Sequence, residues 1–119
     1  MKTFVMIGAL MGVIGVALGA FGAHGLRSRL TPEMLAIFET GVRYQMYHAL
    51  ALLALGALSP MLSGRLPVIA GWAFTIGIII FSGSLYALTL SGVRVLGAIT
   101  PIGGVAFLIG WACLAIAAI

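Results

Sequence analysis

Charge is what this sequence has least of. It contains six basic residues and two acidic ones, so that 7% of its positions are charged. A soluble domain usually has about a quarter of its residues charged, because its surface must be hydrated. This composition excludes a soluble enzyme, a nucleic-acid-binding protein and a disordered segment. With 119 residues, the chain is long enough for one domain.

The chain has a single cysteine and no aspartate, and this removes several kinds of chemistry. The single cysteine, Cys113, cannot form an intrachain disulfide. It falls about 16 residues into the last apolar run, roughly 24 Å from the histidines, which excludes a Cys–His nucleophile pair or metal site. Ser82 and Ser84 lie near a histidine, but an intramembrane hydrolase needs an oxyanion hole and a wider scaffold. We therefore expect no enzymatic activity and assign no catalytic residue.

Apolar residues are abundant, at 63% of the chain. A helix that crosses a bilayer needs about 20 mostly apolar residues. Four runs meet this need, at about 3–23, 44–62, 66–90 and 95–119. The sequence therefore predicts an all-α fold, a four-helix transmembrane bundle that forms one integral membrane domain over residues 1–119. We expect a multi-pass protein of the inner (plasma) membrane.

The segment between the first two runs is the most polar part of the chain. Thr31 is a good helix cap, Pro32 suits the first helical position, and Glu33 lies near the positive end of the helix. In the residues that follow, most apolar side chains fall on one face of the helix and most polar side chains fall on the opposite face. This pattern predicts a short amphipathic helix over about 32–43, lying at the interface and bending near Gly41 into the second span.

Small residues recur at steps of three and four in two of the runs. In the first run they are Gly8, Gly12, Gly15, Gly19 and Gly22, and in the fourth they are Gly103, Ala106, Gly110, Cys113 and Ala117. Lipid tails are as apolar as leucine, so close approach through small residues drives helix association in a bilayer. These two glycine seams predict compact left-handed packing. They pack either within the chain, in a homo-oligomer, or against a larger membrane complex.

Polar side chains are predicted to gather in one leaflet. An up-and-down bundle brings together the end of the first run, the start of the second, the end of the third and the start of the fourth. The candidate ligand-binding residues are His24, Tyr44, Gln45, His48, Ser82, Ser84, Tyr86 and Thr100. Polar groups inside a membrane are costly unless paired and often mark function. They predict a pocket for a small ligand, lipid, ion or proton. Four aromatic residues are expected to be interfacial anchors and not parts of a ligand cage, namely Tyr44, Tyr47, Trp72 and Trp111.

The two histidines, His24 and His48, allow two interpretations. At comparable depths they would ligate one metal or one haem, since imidazole is a common ligand of both. Alternatively, each forms hydrogen bonds with the backbone or with nearby tyrosine and glutamine side chains. Three functions follow as hypotheses: a non-enzymatic binding protein, an accessory subunit of a larger membrane complex, and a bis-histidine haem or quinone-linked redox carrier. The partner common to all three is the lipid bilayer, and none involves nucleic acid.

Four blocks of sequence resemble a known family. They are Gly19-Ala20-Phe21-Gly22-Ala23-His24; Thr40-Gly41 with Tyr44-Gln45 and His48-Ala49-Leu50-Ala51; Phe81-Ser82-Gly83-Ser84-Leu85-Tyr86; and Thr100-Pro101-Ile102-Gly103-Gly104 with Gly110-Trp111. In this order they resemble the small bacterial membrane proteins known as domain of unknown function 423, whose eukaryotic relatives are described as transmembrane protein 256-like. The resemblance runs nearly end to end. It implies an inner-membrane protein with four spans and implies no activity.

Overall fold

The computed structural model describes residues 1–119, and every regular element in it is helical. The elements are α1 (Lys2–Phe21) with a π-helical turn (Gly22–Leu26); α2 (Pro32–Leu58) with a 3-10 turn (Ser59–Met61); α3 (Leu66–Gly77), a second π-helical turn (Ile78–Ser82) and α4 (Gly83–Ser91); and a 3-10 turn (Arg94–Ala98) before α5 (Thr100–Ala117). Because α3 and α4 continue each other through the π-helical turn, the chain folds into four antiparallel helical rods. The molecule measures 48 × 26 × 18 Å.

Three of the four rods are long and apolar enough to cross a membrane. They are Lys2–Leu26, Leu66–Ser91 and Arg94–Ala117. The remaining rod, α2, has 27 residues and is therefore long enough. It is less apolar because Arg43, Gln45 and His48 lie within it. Of the four expected spans, hydropathy and length thus support three.

The N-terminal part of α2 differs from the expected separate interfacial helix. The start at Thr31 is confirmed, since its Oγ1 accepts a hydrogen bond from the backbone nitrogen of Met34 at 3.2 Å. No break separates residues 32–43 from the second span, and α2 runs continuously through Gly41 to Leu58. Gly41 serves packing instead, because a Cβ there would lie 2.8 Å from the ring of Tyr86. Residues 32–43 are therefore the first turns of one long helix.

The rods differ in how much of their surface they bury. Helix α1 packs mainly on α2, α5 packs mainly on α3 and the adjoining π-helical turn, and α2 also touches α3, that turn and α4. Half of the most apolar stretch of Leu66–Ser91 is buried, against 17% for Lys2–Leu26 and for Arg94–Ala117. The main apolar cluster comprises Phe4, Ala51, Leu52, Leu55, Ala70, Phe74, Ile78 and Phe107. Helices α1 and α5 are thus the outer rods, and α2 and α3–α4 are the inner ones.

The glycine seam of α1 packs within this chain. A Cβ on Gly8 would lie 2.8 Å from the backbone oxygen of Ala49, and one on Gly22 would lie 2.9 Å from the ring of Phe38. Gly15 lies against α2 in the same way, whereas Gly12 faces open space. The α1–α2 contact therefore uses Gly8, Gly15 and Gly22, which recur every seventh residue as left-handed packing requires.

The seam of α5 also packs within the chain. A Cβ on Gly103 would overlap the backbone nitrogen of Phe81, and one on Gly110 would lie 2.6 Å from the ring of Phe74. These approaches bring α5 close to the α3–α4 rod. Both seams therefore make close helix contacts inside one molecule, with Gly12 left outside the contact.

Gly103→Ala should destabilise the fold, because the added methyl group meets the backbone of Phe81, which cannot rotate away as a side chain can. Overpacking of this kind costs about 1–3 kcal/mol in free energy of unfolding. The matched control is Gly12→Ala, which has the same change in helix propensity and open space around it. Thermal unfolding in detergent should give a lower midpoint for Gly103→Ala alone. Equal midpoints for the two variants would contradict the packing of α5 described above.

Candidate functional site

Helix α2 carries polar side chains on the face that it turns toward the other rods. Gln45 and His48 are three residues apart, so they share one helix face, and Gly41 lies on the same face one turn earlier. Gln45 is 2% exposed and His48 is 4% exposed. Buried polar groups must find hydrogen-bond partners, and the cost of leaving them unpaired is greatest where no water is available. Every buried side-chain nitrogen and oxygen in this structure has a partner.

Gln45 links three rods. Its Nε2 donates a hydrogen bond to the backbone oxygen of Met11 in α1 at 2.9 Å, and its Oε1 accepts one from the hydroxyl of Tyr86 in α4 at 2.7 Å. Gly15 lies one turn beyond Met11, and a Cβ there would come within 3.5 Å of the Gln45 Nε2. The absence of a side chain at Gly15 thus leaves the Met11 carbonyl accessible to the amide.

The two serines of the third rod fix it to its neighbours. Ser82 is fully buried and donates a hydrogen bond to the backbone oxygen of Gly41 at 2.6 Å. Ser84 and Thr100 share a hydrogen bond between their hydroxyl oxygens at 2.6 Å, and Ser84 Oγ also donates to the backbone oxygen of Phe81 at 2.8 Å. The first bond joins the third rod to α2, and the second joins it to the start of α5.

His48 uses both of its ring nitrogens. Nδ1 lies 2.7 Å from the backbone oxygen of Tyr44, and Nε2 lies 3.1 Å from the indole Nε1 of Trp111. A carbonyl oxygen can only accept and an indole N–H can only donate, so the network assigns the proton to Nδ1 and leaves Nε2 as the acceptor. The ring also stacks on Phe107, with 3.5 Å between ring centroids and 4° between planes. His48, which belongs to α2, is therefore a neutral imidazole that is fixed by its contacts with α5.

His24 does not meet His48. It is exposed in the first π-helical turn, and its side chain makes no hydrogen bond. Gly22, close to it in sequence, packs on Phe38, and the ten residues from Phe38 to His48 rise about 15 Å along α2. Because α2 begins at Pro32 and runs antiparallel to α1, the residues level with His24 belong to the first turns of α2. The two histidines therefore lie at different depths.

The residues present do not fit a metal or a bis-histidine haem. Such a haem needs two facing histidines, each with a ring nitrogen that makes no hydrogen bond and can coordinate the iron. His48 has both nitrogens in hydrogen bonds, and His24 lies too far along the bundle axis to share a ligand with it. No group of three or more histidine, cysteine, aspartate or glutamate side chains is placed to hold a metal ion.

The remaining predicted residues gather in one half of the bundle but enclose no cavity. Gln45 pairs with Tyr86, Ser82 with the backbone of Gly41, and Ser84 with Thr100. Three cavities exist in the structure, and of the eight predicted site residues only Tyr44 and His48 line any of them. The space expected to form a polar pocket is thus filled by the hydrogen-bonded side chains themselves.

The largest cavity is an aromatic groove of about 410 Å³ between α2, the second π-helical turn and α5. It is lined by Tyr44, Tyr47, His48, Phe81, Gly104, Phe107, Leu108 and Trp111. From the sequence, Tyr47 and Trp111 are expected to be membrane anchors, and no motif singles out Phe107 or Leu108. The spacing of Phe107 and Trp111, one turn apart on α5, would have placed both on one face.

His48→Ala should lower the stability of the fold far more than His24→Ala. Truncating His48 removes the stacking on Phe107 and leaves the Trp111 indole without its acceptor, which together should cost about 2–4 kcal/mol. His24 is exposed and unbonded, so its truncation should change stability by less than about 0.5 kcal/mol. Unfolding in detergent titrated with sodium dodecyl sulfate measures both variants. Equal losses would argue against the assigned role of His48.

The bond between Gln45 and Tyr86 should appear as a coupling energy in a double-mutant cycle. Tyr86→Phe removes the donor and leaves Gln45 Oε1 buried without it, whereas Gln45→Leu removes both groups that Gln45 contributes. We expect a coupling of about 1 kcal/mol between the two substitutions in the same unfolding assay. Strictly additive losses would mean that the bond does not stabilise the bundle.

Comparison with known proteins agrees with this helical membrane architecture. The family model described as "Protein of unknown function (DUF423)" matches residues 18–104. The chain is 48% identical to the UPF0382 membrane protein YwdK of Bacillus subtilis, covering 100% of this chain and 98% of the relative. It is 52% identical to a UPF0382 membrane protein of Staphylococcus epidermidis, covering 98% and 95%. No solved structure matches the chain. The chain therefore belongs to the DUF423 family of membrane proteins, as the four sequence blocks predicted.

Proposed function

We propose that this protein is a non-enzymatic, four-span protein of the inner membrane that binds the alkyl chain of a lipid in the aromatic groove. The observation that carries the proposal is the groove itself. Its volume, about 410 Å³, lies in the range of roughly 300–1,000 Å³ found for small-molecule sites. Its walls are mostly aromatic and aliphatic carbon, which suits an uncharged chain better than an ion or a proton.

The proposed fourth crossing is α2. Its 27 residues rise about 40 Å, which exceeds the hydrocarbon thickness of about 30 Å. Gln45 and His48 lower its hydropathy, but both face the other rods and are buried. In this arrangement the first turns of α2, with Glu33 and Glu39, extend into the hydrated headgroup region. The interfacial character expected for residues 32–43 then belongs to the end of a span.

The polar atoms along the groove either form hydrogen bonds within the protein or lie at the rim of the groove. Both nitrogens of His48 are hydrogen-bonded, and the ring presents its flat face to Phe107. Tyr44 and Tyr47, which are 38% and 52% exposed, contribute hydroxyl groups at the surface of the bundle. Leu108 and Trp111 are also exposed, so the groove opens on the side of the bundle that faces lipid. A ligand therefore enters from the bilayer and not from water.

The two alternative functions have less support. An accessory role through the glycine seams needs seams that are free, and those of α1 and α5 pack on Phe38 and Phe74 of the same chain. A bis-histidine redox role needs a ligand pair, which His24 and His48 do not form. Binding of an apolar chain uses the largest of the three concave surfaces that the fold leaves open.

A fluorescence titration tests the groove. Trp72→Phe leaves Trp111 as the sole tryptophan, so energy transfer from Trp111 to parinaric acid reports binding of a fatty-acyl chain to the molecule, and a substitution in the groove wall locates it. We expect saturable transfer at one site per molecule in detergent. Gly104→Leu should weaken it about tenfold, because excluding two methylene groups removes about 1.6 kcal/mol of burial. A Cβ at Gly104 has its nearest neighbour, Phe81, at 4.0 Å, so the substitution introduces no clash at the Cβ.

The matched control is Gly12→Leu, made in the same Trp72→Phe background. Gly12 faces open space on α1 and lines no cavity, so the variant makes the same chemical change away from the groove. It should bind parinaric acid as tightly as its parent. Transfer that rises without saturation, or that falls equally in both variants, would contradict the proposed function.

A further inference from the structure

A separate cavity at the end of the bundle combines opposite charges with an apolar floor. It has a volume of about 310 Å³ and lies where the loop after α1 meets the first turns of α2. Its lining residues are Arg27, Leu30, Pro32, Leu35, Ala36 and Glu39. None of these residues lines the aromatic groove, so this cavity is a different site.

The two charged side chains of this cavity have no ionic partner within the protein. The one ion pair of the structure joins Arg94 to Glu33 at 3.5 Å, and neither residue lines the cavity. Glu39 is exposed and is not paired with Arg43, although their spacing of four residues favours a pair. Arg27 is exposed and likewise unpaired. One cation and one anion are therefore both available to a ligand in the same cavity.

This arrangement selects the chemistry of a ligand. A simple anion would meet the Glu39 carboxylate, and a simple cation would meet the Arg27 guanidinium. A molecule with a separated negative and positive charge satisfies both. The planar guanidinium fork suits the oxygens of a phosphate, and a carboxylate accepts hydrogen bonds from a primary ammonium.

The position of the cavity adds a third requirement. It lies at the N-terminal end of α2, at the edge of the membrane in the proposed topology, and Leu30, Pro32 and Leu35 give it an apolar side. We infer that this cavity binds the headgroup of a phospholipid that carries both a phosphate and a primary ammonium. The phosphate lies on Arg27, the ammonium on Glu39, and the glycerol end lies over Leu35.

Lipid competition tests this inference on the whole protein. Delipidated protein is mixed in micelles with equal amounts of phosphatidylethanolamine, phosphatidylcholine and phosphatidylglycerol, and retained lipid is measured by native mass spectrometry. Phosphatidylethanolamine should be retained most. The methylated ammonium of phosphatidylcholine cannot donate hydrogen bonds to Glu39, and phosphatidylglycerol has no ammonium. Because an exposed charge pair contributes little free energy, we expect a preference of about threefold.

Two variants separate the two contacts. Arg27→Gln should lower the retention of all three lipids, whereas Glu39→Gln should abolish the preference for phosphatidylethanolamine over phosphatidylglycerol. The matched control is Arg29→Gln, which removes an exposed arginine of the same loop that does not line the cavity. It should behave as the wild type. The groove variant Gly104→Leu should also leave this preference unchanged, so that failure of one site is distinguishable from failure of the other.

Three results would overturn the inference. One is a wild-type preference for phosphatidylglycerol, which would indicate attraction of anionic lipid by the arginines alone. Another is retention in Arg27→Gln and Glu39→Gln equal to that in Arg29→Gln. The third is displacement of the lipid by an equal concentration of soluble glycerophosphoethanolamine, which would show that the headgroup alone, and not a lipid, is the ligand.

Discussion

The fold depends on pairing every buried polar group of α2 with another rod. A helix in lipid satisfies its own backbone, but side chains such as Gln45 and His48 need partners from outside the helix. Tyr86 and the Met11 carbonyl supply them for Gln45, and Trp111 supplies one for His48. These partners come from all three other rods. Pairing the buried polar side chains of α2 therefore fixes the position of each rod around α2.

The aromatic groove is a consequence of this arrangement. The bond from Trp111 to His48 spans the space between α5 and α2, and the stacked pair of His48 and Phe107 forms the floor beneath it. Gly103 lets α5 approach the second π-helical turn, where Phe81 completes the wall. The rods therefore meet closely on the buried side and leave a gap on the outer surface of the bundle. Polar pairing thus shapes an apolar site without contributing a free polar group to it.

Much of the fold follows from the sequence, because helix length and apolar runs are local properties. The start at Thr31, the close approach at Gly8 and Gly103, and the gathering of Ser82, Gln45 and Tyr86 in one half were all predictable. The candidate site was less predictable from the sequence than the fold. Whether a buried polar side chain lines a pocket or pairs with its neighbour depends on rotation about each helix axis, which spacing does not fix. The sequence could not show that Gly41 packs beneath Tyr86 within one continuous α2, nor that His24 lies a long way from His48 along the bundle.

The state of His48 gives the most direct test of this account. Solid-state nuclear magnetic resonance of the protein in lipid, with ¹⁵N-labelled histidine and tryptophan, distinguishes the two ring nitrogens and detects transfer from the Trp111 N–H. We predict a protonated Nδ1, an unprotonated Nε2, and a correlation between that Nε2 and the indole proton. A His48 that is protonated on Nε2, or that exchanges its proton with water and shows no contact with Trp111, would contradict the central role of polar pairing in this fold.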